Sequence, residues 1–152
     1  MIELYHASGE VVEFPEVRKA KYTKDFSWGF YCTSYYEQAK KWAFRHEGKI
    51  VNVYNYEENL DLKIKKFDCV DDEWLDFVVS CRAGNVHDFD IVEGPMADDT
   101  IWNYIGDYID KKIDKEQFFM LMKFKHPTHQ ISFHTLKALD CLKFERSIQI
   151  DE

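Results

Sequence analysis

The sequence predicts an α+β fold in one domain covering residues 1–152. Strand-like patterns stand at both ends and helical patterns gather mostly in the middle, which is not regular βαβ winding. No linker, repeat or low-complexity segment interrupts the chain, and its three prolines and six glycines mark no domain boundary. A chain of 152 residues is long enough to bury about two-thirds of its unfolded surface in one core.

The elements follow in order. Residues 2–8, IELYHAS, alternate as a strand, with Ile2, Leu4, His6 and Ser8 on one face. Residues 9–27 form an irregular connection carrying Arg18, Lys19, Lys21 and Lys24. Gly29–Thr33 is a short aromatic strand with Gly29, Tyr31 and Thr33 on one face and Phe30 on the other. Ser34 with Glu37 three residues on predicts a capping box. Tyr35, Ala39, Trp42, Ala43 and His46 then fall at helical spacing up to Gly48. Residues 49–56 are the next strand. Asp71–Arg82 is a helix with acids in its first turn and an apolar stripe of Trp74, Phe77, Val78 and Cys81. Residues 88–94 read as a strand stopped by Gly94-Pro95. Helices are expected over 99–112 and after a cap at Asp114, then a strand at 129–133 (HQISF), a short helix at 135–142 and a last strand at 143–150.

Composition narrows the function classes. The net charge of −8 argues against broad electrostatic binding to nucleic acid or anionic membrane, although the 18–24 stretch offers a local basic lip. The longest apolar run, Phe118–Met122, is too short to span a bilayer. Glu3 and His6 break any signal-peptide pattern at the start. The protein is therefore expected to be cytoplasmic, with no membrane partner. The four scattered cysteines, Cys32, Cys69, Cys81 and Cys141, lack CxxC spacing and read as buried free thiols. His126, His129 and His134 do not share a strand face, so no metal site is expected. Neither a phosphate loop nor GxGxxG is present.

Two strand faces end in polar groups. His6 and Ser8 continue the face begun by Ile2 and Leu4, and Gly29 lets a ligand or another backbone approach beside Tyr31 and Thr33. Each pattern fits a pocket rim or a strand leaving the core.

The motifs LYHAS and, about twenty residues later, DFSWGFYCTSYYEQAKKWA resemble the ADP-ribosyltransferase superfamily, in its diphtheria-toxin-like and poly-ADP-ribose-polymerase branch. His6-Ala7-Ser8 matches a first strand ending in His-x-Ser/Thr. Gly29-Phe30-Tyr31 matches the Gly-aromatic-Tyr motif, and Trp42 falls where a second stacking aromatic is expected. The whole chain also resembles an uncharacterised bacterial family of that superfamily through DFSWGFYCT, QAKKWA, EWLDF, GPMADD and QISF. Ser27 stands where that family's pattern has its first glycine.

The resemblance implies a split antiparallel sheet and an NAD-dependent mono-ADP-ribosyltransferase. The acceptor is a protein or a nucleic acid, in the setting of a toxin with an antitoxin partner or of phage defence. It implies a nicotinamide site made by Gly29, Phe30, Tyr31, Thr33, Ala39 and Trp42. His6 would hold the ribose hydroxyls with Ala7 and Ser8 beside it, and Arg82 and Arg45 are candidates for the pyrophosphate. His6, Tyr31 and Gln130 are the expected catalytic positions. Gln130 stands where the superfamily usually has Glu, with His129 one register away. A glutamine accepts a hydrogen bond but cannot serve as general base. Asp98 and Asp99 are therefore candidates for the missing acid, or simply a helix cap. The absent glutamate leaves two alternatives, a non-catalytic NAD-binding module and a simple NAD glycohydrolase.

Overall fold

The computed structural model describes residues 2–17 and 25–151, so the basic stretch at Arg18, Lys19, Lys21 and Lys24 lies outside the described residues. The described residues form a mixed α+β structure with two sheets and five helices. The strands are β1 (Ile2–Ser8), β2 (Phe30–Cys32), β3 (Ile50–Tyr56), β4 (Ile64–Lys66), β5 (Ile91–Pro95), β6 (His129–Phe133) and β7 (Leu142–Gln149). The helices are α1 (Tyr36–Ala43), α2 (Asp72–Arg82), α3 (Asp99–Ile109), α4 (Lys115–Met122) and α5 (Leu136–Leu139).

One sheet has the order β1-β3-β7 and the other β2-β6-β5-β4. They meet where Tyr5 and Thr33 exchange backbone hydrogen bonds of 2.8 and 2.9 Å. Every strand pair is antiparallel except β4–β5, which is parallel. This corrects the expectation of a wholly antiparallel sheet. β4 has three residues and two of them are lysines, so no period-2 pattern announces it.

Strand alternation sets the layers. Leu4, Tyr54 and Tyr56 from the first sheet pack with Phe30, Cys32, Ile91, Ile131 and Phe133 from the second in a shared core. The opposite face of the second sheet meets α2, α3 and α4 through Tyr31, Val92, Trp74, Val78, Ile101, Ile105 and Phe118. α1 covers the outer face of the first sheet through Ala39, Ala43 and Val51. Cys32, Cys81 and Cys141 are buried free thiols, but Cys69 is exposed, because it precedes α2 in a surface turn and packs against no core.

Helix caps match the residue chemistry with one exception. Asp71, Asp98, Asp114 and Thr135 each accept a backbone N–H as N-cap, and Asp114 with Gln117 completes a capping box. The box expected at Ser34 and Glu37 is not formed. The helix starts later, at Tyr36, and Thr33 Oγ1 accepts the Tyr35 N–H at 3.1 Å instead. Thr33 is held by the bridge to Tyr5, so its hydroxyl turns the chain before Ser34 can. The helix also stops at Ala43 rather than His46. That places Trp42, Arg45 and His46 at the end of α1, beside the join of the two sheets.

Candidate functional site

A cavity of about 250 Å³ opens at that join. Its walls come from separate parts of the chain. β1 supplies His6 and Ala7, β2 and its approach loop supply Tyr31 and Asp25, and the end of α1 supplies Trp42, Arg45 and His46. Arg82 ends α2, Met96 and Ala97 follow β5, and Gln130 lies on β6.

His6 is fixed on two sides. Its Nδ1–H donates to the Tyr31 carbonyl at 2.6 Å, and its ring stacks on Phe30 with centroids 4.0 Å apart. Tyr31 is buried on the helix-facing side. Its hydroxyl donates to the Ser27 carbonyl at 2.6 Å and accepts the Phe26 N–H at 3.0 Å. Burial pushes that phenol far above its ordinary value, so it stays a neutral donor. Trp42 is half-buried at the mouth, and Arg45 and His46 are exposed beside it.

The floor holds a residue that the sequence reading missed. Asp25 is 3% exposed. Its Oδ1 accepts from Arg82 Nε at 2.9 Å and from Arg82 Nη2, while Oδ2 accepts the Ala97 N–H at 2.8 Å and Gln130 Nε2 at 3.1 Å. All four acceptor positions of the carboxylate are thus used. The Arg82 guanidinium also lies 4.1 Å over the Trp102 ring. The signal was present, since Asp25 opens the DFSWGFYCT motif. Its partners sit 57, 72 and 105 residues away, and no local pattern reveals them.

The approach loop is clamped. Three successive carbonyls accept side-chain hydrogen bonds: Phe26 from His87 Nε2 at 2.8 Å, Ser27 from the Tyr31 hydroxyl, and Trp28 from His134 Nδ1 at 2.7 Å. His134 Nε2 meets Ser132 Oγ at 2.7 Å. The His87 and His134 rings stand edge to face at 4.4 Å. Burial lowers both imidazoles, His134 to about 4, so neither carries a charge near neutral pH. The clamp holds Ser27 at φ 77°, a left-handed conformation that favours glycine. Gly29 is required by the same clamp, because a Cβ there would stand 2.7 Å from His134 Nδ1. The close approach at Gly29 is thus made by a side chain of this protein.

The structure separates the expected site residues. His6, Ala7, Tyr31, Trp42, Arg45, Arg82 and Gln130 converge on the cavity. Ser8, Gly29 and Phe30 line a neighbouring cavity that shares His6 and is walled by Glu10, Glu13 and Glu16. Thr33 is fully buried, with its hydroxyl donating to the His129 carbonyl at 3.2 Å. Ala39 is buried between α1 and the first sheet. Asp98 caps α3 and Asp99 occupies its exposed first turn, so the GPMADD turn reaches the cavity through Met96 and Ala97. His129 points away from Gln130 on the strand and approaches Glu93 at 3.8 Å.

A family model described as Protein of unknown function (DUF3990) matches residues 2–144. The chain belongs to this family. The matched span takes in every cavity residue from His6 to Gln130. No curated protein and no solved structure matches the chain. Among the described residues, no helix is long and apolar enough to cross a membrane.

Chemically, the cavity combines two aromatic rings, Tyr31 and Trp42, with the cations Arg45 and Arg82, the imidazoles of His6 and His46, and one carboxylate that Arg82 neutralises. On a chain of net charge −8, a cation-lined aromatic pocket suits a ligand with a flat ring and an anionic group.

Proposed function

We propose that this DUF3990 protein is an NAD-dependent mono-ADP-ribosyltransferase with an ADP-ribosyltransferase-like fold. The observation that carries the reading is the convergence of His6, Tyr31, Trp42 and Gln130, which lie in four separate elements, on one cavity. Their side chains suit the parts of NAD. Tyr31 and Trp42 offer aromatic surface to the nicotinamide, each stacking contact adding about 1 kcal/mol beyond area burial. His6, held by Tyr31 and Phe30, offers a hydrogen bond to ribose, and Arg45, exposed in the cavity wall, offers a cation to the pyrophosphate.

Breaking the ribose–nicotinamide bond passes through an oxocarbenium-like state, so the protein must orient a leaving group and stabilise developing positive charge. The net charge favours a protein acceptor over a nucleic acid. The toxin and phage-defence settings, and any antitoxin, rest on the motif resemblance alone.

One observation favours a second reading, a module that binds NAD without turnover. The carboxylate in the cavity wall, Asp25, has its acceptor positions filled by Arg82, Ala97 and Gln130. Incubation with labelled NAD and cell lysate, followed by protease or nuclease, separates the readings. Label in a protease-sensitive pool supports transfer to protein, and loss to nuclease overturns that acceptor. NAD bound with label in neither pool favours the module. His6→Ala is expected to abolish transfer, and unchanged transfer by that variant overturns the proposed site.

A further inference from the structure

The cavity floor poses a question about Gln130. A glutamine on a late strand stands where a charged acid would be useful, yet it is 5% exposed and tied to a buried carboxylate. An ionised carboxylate only accepts hydrogen bonds, so the end of Gln130 facing Asp25 must be the amide nitrogen. The carbonyl oxygen Oε1 therefore points away from Asp25. It makes no hydrogen bond among the described residues, and Gln130 lines the cavity. The amide orientation is thus set by its neighbour.

Asp25 is itself held in place. Arg82 grips Oδ1 from the end of α2, and the backbone N–H of Ala97 grips Oδ2. The loop preceding Tyr31 is clamped by His87, Tyr31 and His134 at three successive carbonyls. A carboxylate fixed on this scale has one direction in which to fix another group.

We propose that Asp25 is the positioning residue of this site: it turns the Gln130 carbonyl oxygen into the cavity as an uncharged acceptor for a hydroxyl of the bound ligand. The negative charge of the site then sits one residue behind the surface that meets the ligand, neutralised by Arg82. The arrangement selects a neutral donor such as a ribose hydroxyl and gives no advantage to a cationic group at that point. This rests on the NAD reading above for its ligand, while the pairing of Asp25 with Gln130 stands on the structure alone.

Exchanging the two side chains tests it. Asp25→Asn keeps a carbonyl toward Arg82 only by presenting its NH₂ to residue 130. Gln130 must then flip and offer NH₂ to the cavity. Gln130→Glu instead sets two carboxylates against each other, which disfavours ionising both. Asp25→Asn combined with Gln130→Glu keeps a donor–acceptor pair without facing carboxylates and returns an acceptor to the ligand. Ala97 loses its acceptor in both variants that carry the Asp25→Asn change, so comparing those two isolates the face at residue 130.

Two readouts are taken on the folded proteins. In thermal unfolding, the double variant is expected to lose less melting temperature than the two single losses added together. In nicotinamide release from NAD, Asp25→Asn is expected to lose at least tenfold in kcat with a smaller change in KM, and the double variant to recover most of it. Losses that simply add overturn the pairing, whatever the ligand. Non-additive melting losses with kcat left at the Asp25→Asn level overturn the positioning role. Wild-type protein that neither binds nor cleaves NAD overturns the NAD reading and the role built on it, while the melting result still judges the pairing.

Discussion

The floor and the mouth of the cavity are built differently. The floor, made of Asp25, Tyr31, Arg82, Ala97 and Gln130, is bound into a hydrogen-bond network that reaches His87, His134 and the backbone of residues 26–28. The mouth, made of Trp42, Arg45 and His46, stands at the end of α1 and is half-buried or exposed. Buried polar groups are costly unless partnered, so the floor is assembled as a unit. The mouth stands at and just beyond the end of α1 and is open to a ligand. Substitutions in the floor should therefore affect folding and function together, and those at the mouth should separate them.

The largest effect is expected in the floor. Tyr31→Ala removes a buried ring and the partner of two backbone groups, and should cost about 3–5 kcal/mol of stability, read by denaturant unfolding, with NAD turnover lost. A loss below about 1 kcal/mol would show that the clamp does not support the floor.

Next comes the pH response of the clamp. The His134 imidazole is lowered from 6.5 to about 4 in the folded protein. Above 6.5 it is neutral in both states and favours neither. Between 6.5 and about 4 only the unfolded chain takes up the proton, so stability falls as pH falls through that window. The full loss is about 3 kcal/mol. Urea unfolding at several pH values should show this slope, and His134→Gln should flatten it.

At the mouth, Trp42→Ala should leave stability within about 1 kcal/mol, since the ring is half-buried. NAD affinity should fall about tenfold, equivalent to about 1.4 kcal/mol. If stability and affinity fall together, the contrast between floor and mouth does not hold.

The smallest effect concerns Ser27. Its left-handed backbone, at φ 77°, makes Ser27→Gly a stabilising change of about 0.5–1 kcal/mol, with turnover unchanged. A lower melting temperature would mean that the serine hydroxyl contributes more than the backbone costs.

How legible each part was in the sequence follows from the range of its interactions. β1 and β6 begin and end where alternation places them, because period-2 patterning is local. The Asp114 cap was also local and readable. β4 was not, since three residues with two lysines carry no pattern and pair only through the distant β5. The start of α1 was misread because the hydroxyl of Thr33, fixed by Tyr5 across the sheet join, acts before Ser34. In the site, motif resemblance pointed to His6, Tyr31, Trp42 and Gln130. Asp25 looked like one of 28 acidic residues until Arg82, Ala97 and Gln130 were brought around it. His134 similarly entered the sequence reading only as a non-ligand, and the fold makes it the brace of the approach loop.

The central claim is that the cavity at the sheet join holds NAD. Calorimetric titration of NAD into folded wild-type protein and into Trp42→Ala tests it most directly. The account predicts saturable one-site binding by the wild type and affinity about tenfold weaker in the variant. No saturable binding by the wild type, or equal affinity in the two proteins, would contradict it.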